Sequence, residues 1–160
     1  MCTLAESIPV VAAALGSAIS LVDKLYDQVK SFIANRKETK LSEEHSLRIE
    51  STGSEILQII NGRVVKTIAA ADFAKLPEST HRHIMVLEKS MQNSYDLWAQ
   101  VYPQRNSSAD PMVNAKVNQQ LKQIIIGMKE DLDGILGYLD SLGFYLDDHY
   151  MEFRYLVSKV

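Results

Sequence analysis

The feature that most constrains this chain is an apolar seam that begins at Ile8. Its members are spaced alternately three and four residues apart, which places them on one face of an α-helix. They are Ile8, Val11, Leu15, Ala18, Val22, Leu25, Val29 and Phe32. Ile19, Tyr26 and Ile33 widen the seam into a face that a helical bundle would cover. The pattern predicts a helix over about residues 8–34 that packs against other helices.

The first half of this helix, from Ser7 to Val22, carries no charge. The residues before it include Glu6 but no Lys or Arg, whereas a secretory signal needs a basic start. A membrane-spanning helix needs about 20 apolar residues, and Asp23 and Lys24 interrupt this run. We therefore expect a core helix of a cytoplasmic bundle, with insertion into a membrane as the alternative. The residues that would pack or face lipid are Val11, Ala14, Leu15, Ala18, Ile19 and Val22.

Small residues make up the side of this helix away from the seam: Ala12, Ala13, Ala14, Gly16, Ser17 and Ser20. Another helix, a second subunit or lipid could bury such a weakly polar surface. Gly127, Gly134 and Ser141 are spaced seven apart on a later helix and predict a small-residue groove. We expect the Ala-rich side of the first helix to fit into that groove.

Short runs rich in β-branched residues follow a polar linker over Asn35 to Glu44. Asn61-Gly62 separates two of them and is a strong hairpin signal, because a type I′ turn needs two residues at positive φ. The sequence predicts a β-hairpin over about residues 46–68, or a three-strand meander if Thr52-Gly53-Ser54 also turns the chain. A lone hairpin is marginal in water, so we expect this one to lie against the helices.

Three further helices are predicted, over about residues 77–102, 110–142 and 145–158. Pro103 ends the first of them, and Asp110-Pro111 supplies an N-cap and a proline at the first helical position of the next. The fold class is therefore mainly α. We expect one domain over residues 1–160, an elongated antiparallel bundle of three long helices and a shorter C-terminal one with the small β insertion.

Seven acidic residues and no Lys or Arg lie between Glu130 and Glu152. Asp133, Asp140 and Asp147 are spaced seven apart and would form one stripe, with Asp148 beside it, if the helix continued through Gly143. Such a stripe is usually a solvated face. It could also bind a basic protein partner, or meet Lys24, Lys30 and Arg36 of the first helix.

The pattern Glu78-x-x-His81 resembles half of the motif that holds two metals in carboxylate-bridged bundles. Such sites need a second copy and inward-facing Glu residues on two other helices, which this sequence does not offer. A solvated helix start is the simpler interpretation. We therefore predict no catalytic residues, no metal site and no cofactor.

The charge and cysteine content narrow the classes of function. A formal net charge of −3 gives no general attraction to nucleic acid, and one cysteine allows no internal disulfide. We expect a non-enzymatic helical protein that binds a protein partner or copies of itself. The alternatives are a membrane-permeabilising effector whose first helix inserts into lipid and, more weakly, a metal-dependent bundle enzyme. The first alternative looks in outline like the bundle domains that permeabilise membranes in cell death and defence.

Overall fold

The computed structural model describes residues 4–35, 47–52 and 54–160 of the chain. The predicted linker from Asn35 to Glu44 lies, apart from Asn35, outside these residues, as do Ser46 and Gly53 of the predicted β segment. The side chains of residues 4–9 and of Leu47 also lie outside them, including Ile8 of the predicted seam.

The described chain contains five α-helices, and three consecutive strands lie between the first helix and the second. The order is α1 (Leu4–Ala34), β1 (Leu47–Ser51), β2 (Glu55–Ile60), β3 (Arg63–Ala69), α2 (Ala70–Ala74), α3 (Glu78–Val101), α4 (Pro111–Ser141) and α5 (Asp148–Ser158). The mainly α fold with a three-strand meander is therefore confirmed. α1 begins four residues before its predicted start and includes Pro9, whereas α5 begins three residues after its predicted start. α1 and α4 each have 31 residues and are about 45 Å long.

The helices do not all run antiparallel to their neighbours. Ser17 of α1 contacts Glu88 of α3, and Gln28 contacts Trp98, so positions rise together and α1 and α3 are parallel. The antiparallel arrangement that we predicted holds for α4 relative to α3. Leu87 of α3 faces Gly134 and Ser90 contacts Asp131, so positions on α4 fall as those on α3 rise. The mixed directions have a topological cause. The meander lies between α1 and α3 in the chain and returns it to the end where α1 starts.

The heptad seam forms the centre of the core. Val22, Leu25 and Val29 have no exposed surface, and Leu15 and Ala18 are 1% exposed. α3 and α4 contribute matching apolar rows, including Met91, Leu121 and Ile125. The seam therefore faces other helices, as the spacing predicted.

Gly16, on the small-residue side of α1, packs against β1, whereas Ser17 donates to Glu88 of α3 and Ala13 is exposed. A Cβ placed on Gly16 would lie 3.3 Å from the carbonyl oxygen of Ile49 and 3.5 Å from its Cβ. The groove predicted on α4 does not receive α1: Gly134 faces Leu87 of α3, and nothing lies within 4 Å of a Cβ placed on Gly127. That prediction was wrong because Leu87 of α3 occupies the position facing Gly134, and Ile49 of β1 occupies the position facing Gly16.

The meander is an antiparallel sheet in the order β1-β2-β3. Asn61 and Gly62 have φ of 52° and 74°, the positive values that the predicted type I′ turn requires. A bulge between Gln58 and Ile59 adds one residue to β3. On the inner face, Ile56 and Gln58 have no exposed surface.

The side chain of Gln58 joins the sheet to the connection between α4 and α5. Its Oε1 accepts from the backbone N–H of Tyr145 at 2.8 Å, and its Nε2 donates to the backbone carbonyl of the same residue at 2.5 Å. A fully buried amide side chain thus satisfies both backbone polar groups of one residue. The contact holds β2 against the end of the bundle.

The close approach at Gly16 gives a stability prediction. Gly16→Leu should lower the free energy of unfolding by roughly 1–3 kcal/mol, because the side chain would push β1 away from α1. Urea unfolding followed by circular dichroism measures the effect. Ala13→Leu is the matched control, since Ala13 is exposed on the same helix. An equal loss in both variants would show that the α1–β1 contact is not the cause.

Candidate functional site

The four acidic residues predicted as one stripe lie in different environments. α4 ends at Ser141, and Gly143 at φ 86° reverses the chain while its N–H donates to the Asp140 carbonyl. The stripe is therefore interrupted, because a glycine in the left-handed conformation after a helix terminates it. Asp133 and Asp140 are exposed on α4, and Asp147 and Asp148 lie at the start of α5.

Two members of the predicted stripe have structural partners. Asp133 Oδ1 accepts from Arg154 Nε at 2.7 Å, which ties α4 to α5. Asp147 caps α5, since its Oδ1 accepts from the backbone N–H of His149 at 3.3 Å. Of the four, only Asp140 and Asp148 are exposed without an ion pair or a cap contact among the described residues. A basic partner would therefore find two separate carboxylates here in place of a continuous row.

A polar cluster that the sequence did not reveal joins α1 to α5. We call it the α1–α5 cluster: Asp23, Tyr26, Lys30, Asp147, His149 and Glu152. Tyr26 donates its hydroxyl to Glu152 Oε2 at 2.8 Å, and Lys30 Nζ lies 3.1 Å from Glu152 Oε1. The ring of His149 lies edge-on to that of Tyr26, with Nε2 at 3.3 Å from Asp23 Oδ1. Tyr26–Glu152 and Asp23–His149 are both 126 positions apart, so α1 and α5 run side by side in one direction. The sequence alone does not show this alignment.

The contacts in the α1–α5 cluster shift several pKa values. The hydrogen bond from Tyr26, helped by Lys30, lowers the pKa of Glu152. The hydrogen bond to Glu152 raises the pKa of Lys30. Burial, followed by the hydrogen bond to Glu152, raises the pKa of Tyr26. All three shifts favour the charge states that hold the pair together, so the cluster fastens two helices.

A buried acid lies between α3 and α4. Asp131 is 9% exposed, and its Oδ2 accepts from Ser90 Oγ at 2.6 Å. Burial raises the pKa of Asp131, against the opposite effect of the Ser90 hydrogen bond. Ionised Asp131 therefore costs stability, whereas ionised Glu152 contributes it.

The residues of the possible metal motif have separate partners. Glu78 accepts from Arg82 Nη2 at 2.9 Å, and His81 Nε2 donates to the Phe73 carbonyl at 3.1 Å while its ring stacks on Phe73. Among the described residues, no group of three His, Cys, Asp or Glu side chains could hold a metal ion. Glu78 thus forms a contact within the first turns of α3, and His81 connects α3 with α2.

The six residues proposed to pack or to face lipid all lie in the core. Ala14 is 6% exposed, and the exposed fractions of the other five are at most 3% (Val11, Leu15, Ala18, Ile19 and Val22). Within the described ranges, no helix combines the length and apolar character needed to cross a membrane. In this conformation these residues pack against the rest of the bundle.

The outer face of the meander carries an apolar surface that the hairpin prediction did not include. We call it the meander surface: Leu57, Ile59, Val64 and Val65. Leu57 and Ile59 are half-buried on the face opposite Ile56, while Val64 and Val65 are 54% and 49% exposed. The alternation of side chains along β2 could be read from the sequence. The face of the sheet that the bundle covers could not be read from it.

β3 forms an edge of the sheet beside the meander surface. No strand within residues 4–35, 47–52 and 54–160 pairs with it on the side away from β2. Ile60 and Arg63 flank the two-residue turn, so they exchange hydrogen bonds, and the next residue, Val64, directs its N–H and C=O outward. The edge thus presents backbone donors and acceptors next to exposed branched side chains.

Glu152 and Asp131 give pH-dependence predictions of opposite sign. Glu152→Gln should make the protein less stable than wild type at pH 7, because a lowered folded pKa means that ionisation stabilises the fold. The difference should disappear as the pH falls through the folded pKa, below the unfolded value of about 4.3.

Asp131→Asn should make the protein more stable than wild type at pH 7. Its folded pKa is raised, so stability is lost as the pH rises from the unfolded value of about 3.9 through the folded one. Chemical unfolding of both variants and wild type between pH 3 and pH 8 measures the differences. Stability changes of the same sign at pH 7 would contradict the assignment.

Comparison of the chain with known proteins finds no similar protein. No protein-family model matches the chain, and neither a curated protein nor a solved structure matches it. A function for the chain is therefore inferred from its own surfaces and contacts.

Proposed function

We propose that this chain is a non-enzymatic interaction protein that binds an extended segment of a protein partner along β3. The observation that carries the proposal is the edge itself. Every residue from Arg63 to Thr67 is exposed, although the strand carries the β-branched residues of a half-buried one. Charges and bulges usually protect such edges, and Arg63, Lys66 and the bulge in β3 limit its pairing with copies of itself. The exposed apolar side chains beside the edge favour a partner of complementary charge.

Backbone pairing would supply the affinity. A partner segment in the extended conformation would add a fourth strand, with hydrogen bonds to the outward N–H and C=O of Val64. Its alternate side chains would lie over Val64 and toward Leu57 and Ile59, which share the outer face. The meander surface would then be covered by the same segment that pairs with the edge.

Charge favours an acidic partner over a second copy of this chain. β3 carries Arg63 and Lys66 and no acidic residue. Pairing two copies of β3 would bring four positive charges onto adjacent strands, where like charges are destabilising. Acidic and β-branched residues in alternation would complement the strand. The acidic residues of α4 and α5 form a weaker candidate site for a basic partner, since Asp133 and Asp147 already have partners within the fold.

No catalytic role is part of this proposal. The buried polar side chains that we described connect one element with another, as Gln58 does with Tyr145. The single cysteine is compatible with a reducing, cytoplasmic compartment.

A proline substitution tests the edge directly. Peptides selected from a random display library by the wild-type protein should be rich in alternating acidic and β-branched residues. Their affinity should fall at least about tenfold for Val64→Pro, because proline removes the outward N–H and hinders the approach of a strand. Isothermal titration calorimetry measures the affinities.

Val64→Thr is the matched control, since threonine keeps the N–H and the branched shape. Its affinity should change less than about threefold. Thermal unfolding checks that both variants remain folded. Selected peptides that bind Val64→Pro as tightly as wild type would contradict the proposal, and so would a selection dominated by helical amphipathic sequences.

The membrane-acting alternative would require α1 to leave the core. Ala14→Glu should destabilise the protein by several kcal/mol, because it buries an unpaired charge. The wild-type protein should leave liposomes intact, whether neutral or anionic, in an assay of encapsulated dye. Dye release by wild type that is blocked in a folded Ala14→Glu variant would instead support insertion of α1.

A further inference from the structure

A cavity of about 630 Å³ lies at the end of the bundle far from the Gly16 contact. α1, α3 and α5 end at Ala34, Val101 and Ser158, and residues at or just beyond these ends line the cavity. Asn118 and Lys122, one turn apart on α4, complete its wall. Its size falls within the usual range of small-molecule sites.

The charged residues that line the cavity are all cations. They are Arg105, Lys122 and Lys159, and no Asp or Glu accompanies them among the described lining residues. This is a local reversal in a chain whose formal net charge is −3. Arg105 and Lys159 lie over the rings of Tyr102 and Tyr155, which orients them without neutralising their charge.

The ends of three helices offset only part of this positive charge. A helix carboxyl end carries about half a negative charge, so three of them balance about half of the three cations. The carbonyl oxygen of Val160 accepts from Lys129 Nζ at 2.6 Å and so has a cation of its own. Among the described lining residues, the positive charge therefore exceeds the negative charge that offsets it.

The rest of the lining selects for a mixed ligand. Phe32, Ile33 and Val160 provide an apolar part of the wall. A simple inorganic anion would use the cations but leave this apolar part unused.

We infer that this cavity binds a small organic anion that also carries an apolar group. Its carboxylate, phosphate or sulfonate lies against Lys122, Arg105 and Lys159. Its apolar group contacts Phe32 and Ile33. The site is separate from β3, so its occupancy does not depend on the proposed partner segment.

The probe is 8-anilinonaphthalene-1-sulfonate, which combines a sulfonate, an N–H donor and apolar rings. Its fluorescence should report one site per chain, with an affinity that falls as salt rises. N-phenyl-1-naphthylamine has the same rings and N–H without the sulfonate, and it should bind at least about tenfold more weakly. Lys122→Gln should weaken binding of the sulfonate at least about fivefold, because one of three charges is lost.

Lys116→Gln is the matched control, since Lys116 is exposed on the same helix but does not line the cavity. It should leave the affinity unchanged, and circular dichroism checks the folding of both variants. Equal binding of the neutral and anionic probes would overturn the inference. An unchanged affinity in Lys122→Gln would do so too, as would equal losses in the two lysine variants, which indicate a diffuse surface attraction.

Discussion

The fold depends on the contact between the backbone of α1 at Gly16 and the backbone of β1 at Ile49. Because Gly16 has no side chain, the carbonyl oxygen of Ile49 lies only 3.3 Å from the position that a Cβ on Gly16 would take. The opposite side of the same helix carries the large apolar residues that α3 and α4 cover. α1 is therefore buried from two directions by two kinds of structure, and each side has the residue size that its neighbour requires.

Polar contacts fix the relative positions of the helices that apolar packing brings together. α1 and α3 share hydrogen bonds at Ser17–Glu88 and Gln28–Trp98, with nearly the same offset in residue number. The α1–α5 cluster does the same for a second parallel pair. Apolar heptads alone permit slippage by one turn, whereas a shifted pair would leave buried polar groups unsatisfied. These contacts select one alignment.

The sequence predicted those parts of the fold that depend on local pattern. The seam from Val11 to Phe32, the turn at Asn61-Gly62 and the N-cap at Asp110 all follow from residue type and spacing, and the structure contains them. The direction of α3 relative to α1 could not be predicted, because it depends on where the meander returns the chain. The partner of Gly16 could not be predicted either, since a small residue indicates close approach without saying what approaches.

The candidate surfaces show the same limit in physical terms. Val64 and Leu57 looked like ordinary strand residues, and they became a candidate site only because the bundle covers the opposite face through Ile56 and Gln58. Asp147 lost its place in the predicted stripe because Gly143 turns the chain before it.

β3 receives little support from the bundle, whereas β2 is held on both sides. β1 and β3 pair with β2, and Gln58 anchors it to Tyr145. The core is covered by buried residues of β2 and of the helices. The outer edge of β3 is unpaired within the described chain, and this exposes no core residue. A binding strand could therefore add to this edge while the helices keep their positions. Because β2 makes the contacts with the bundle, the bundle can hold β3 in place while the outer edge of β3 stays accessible.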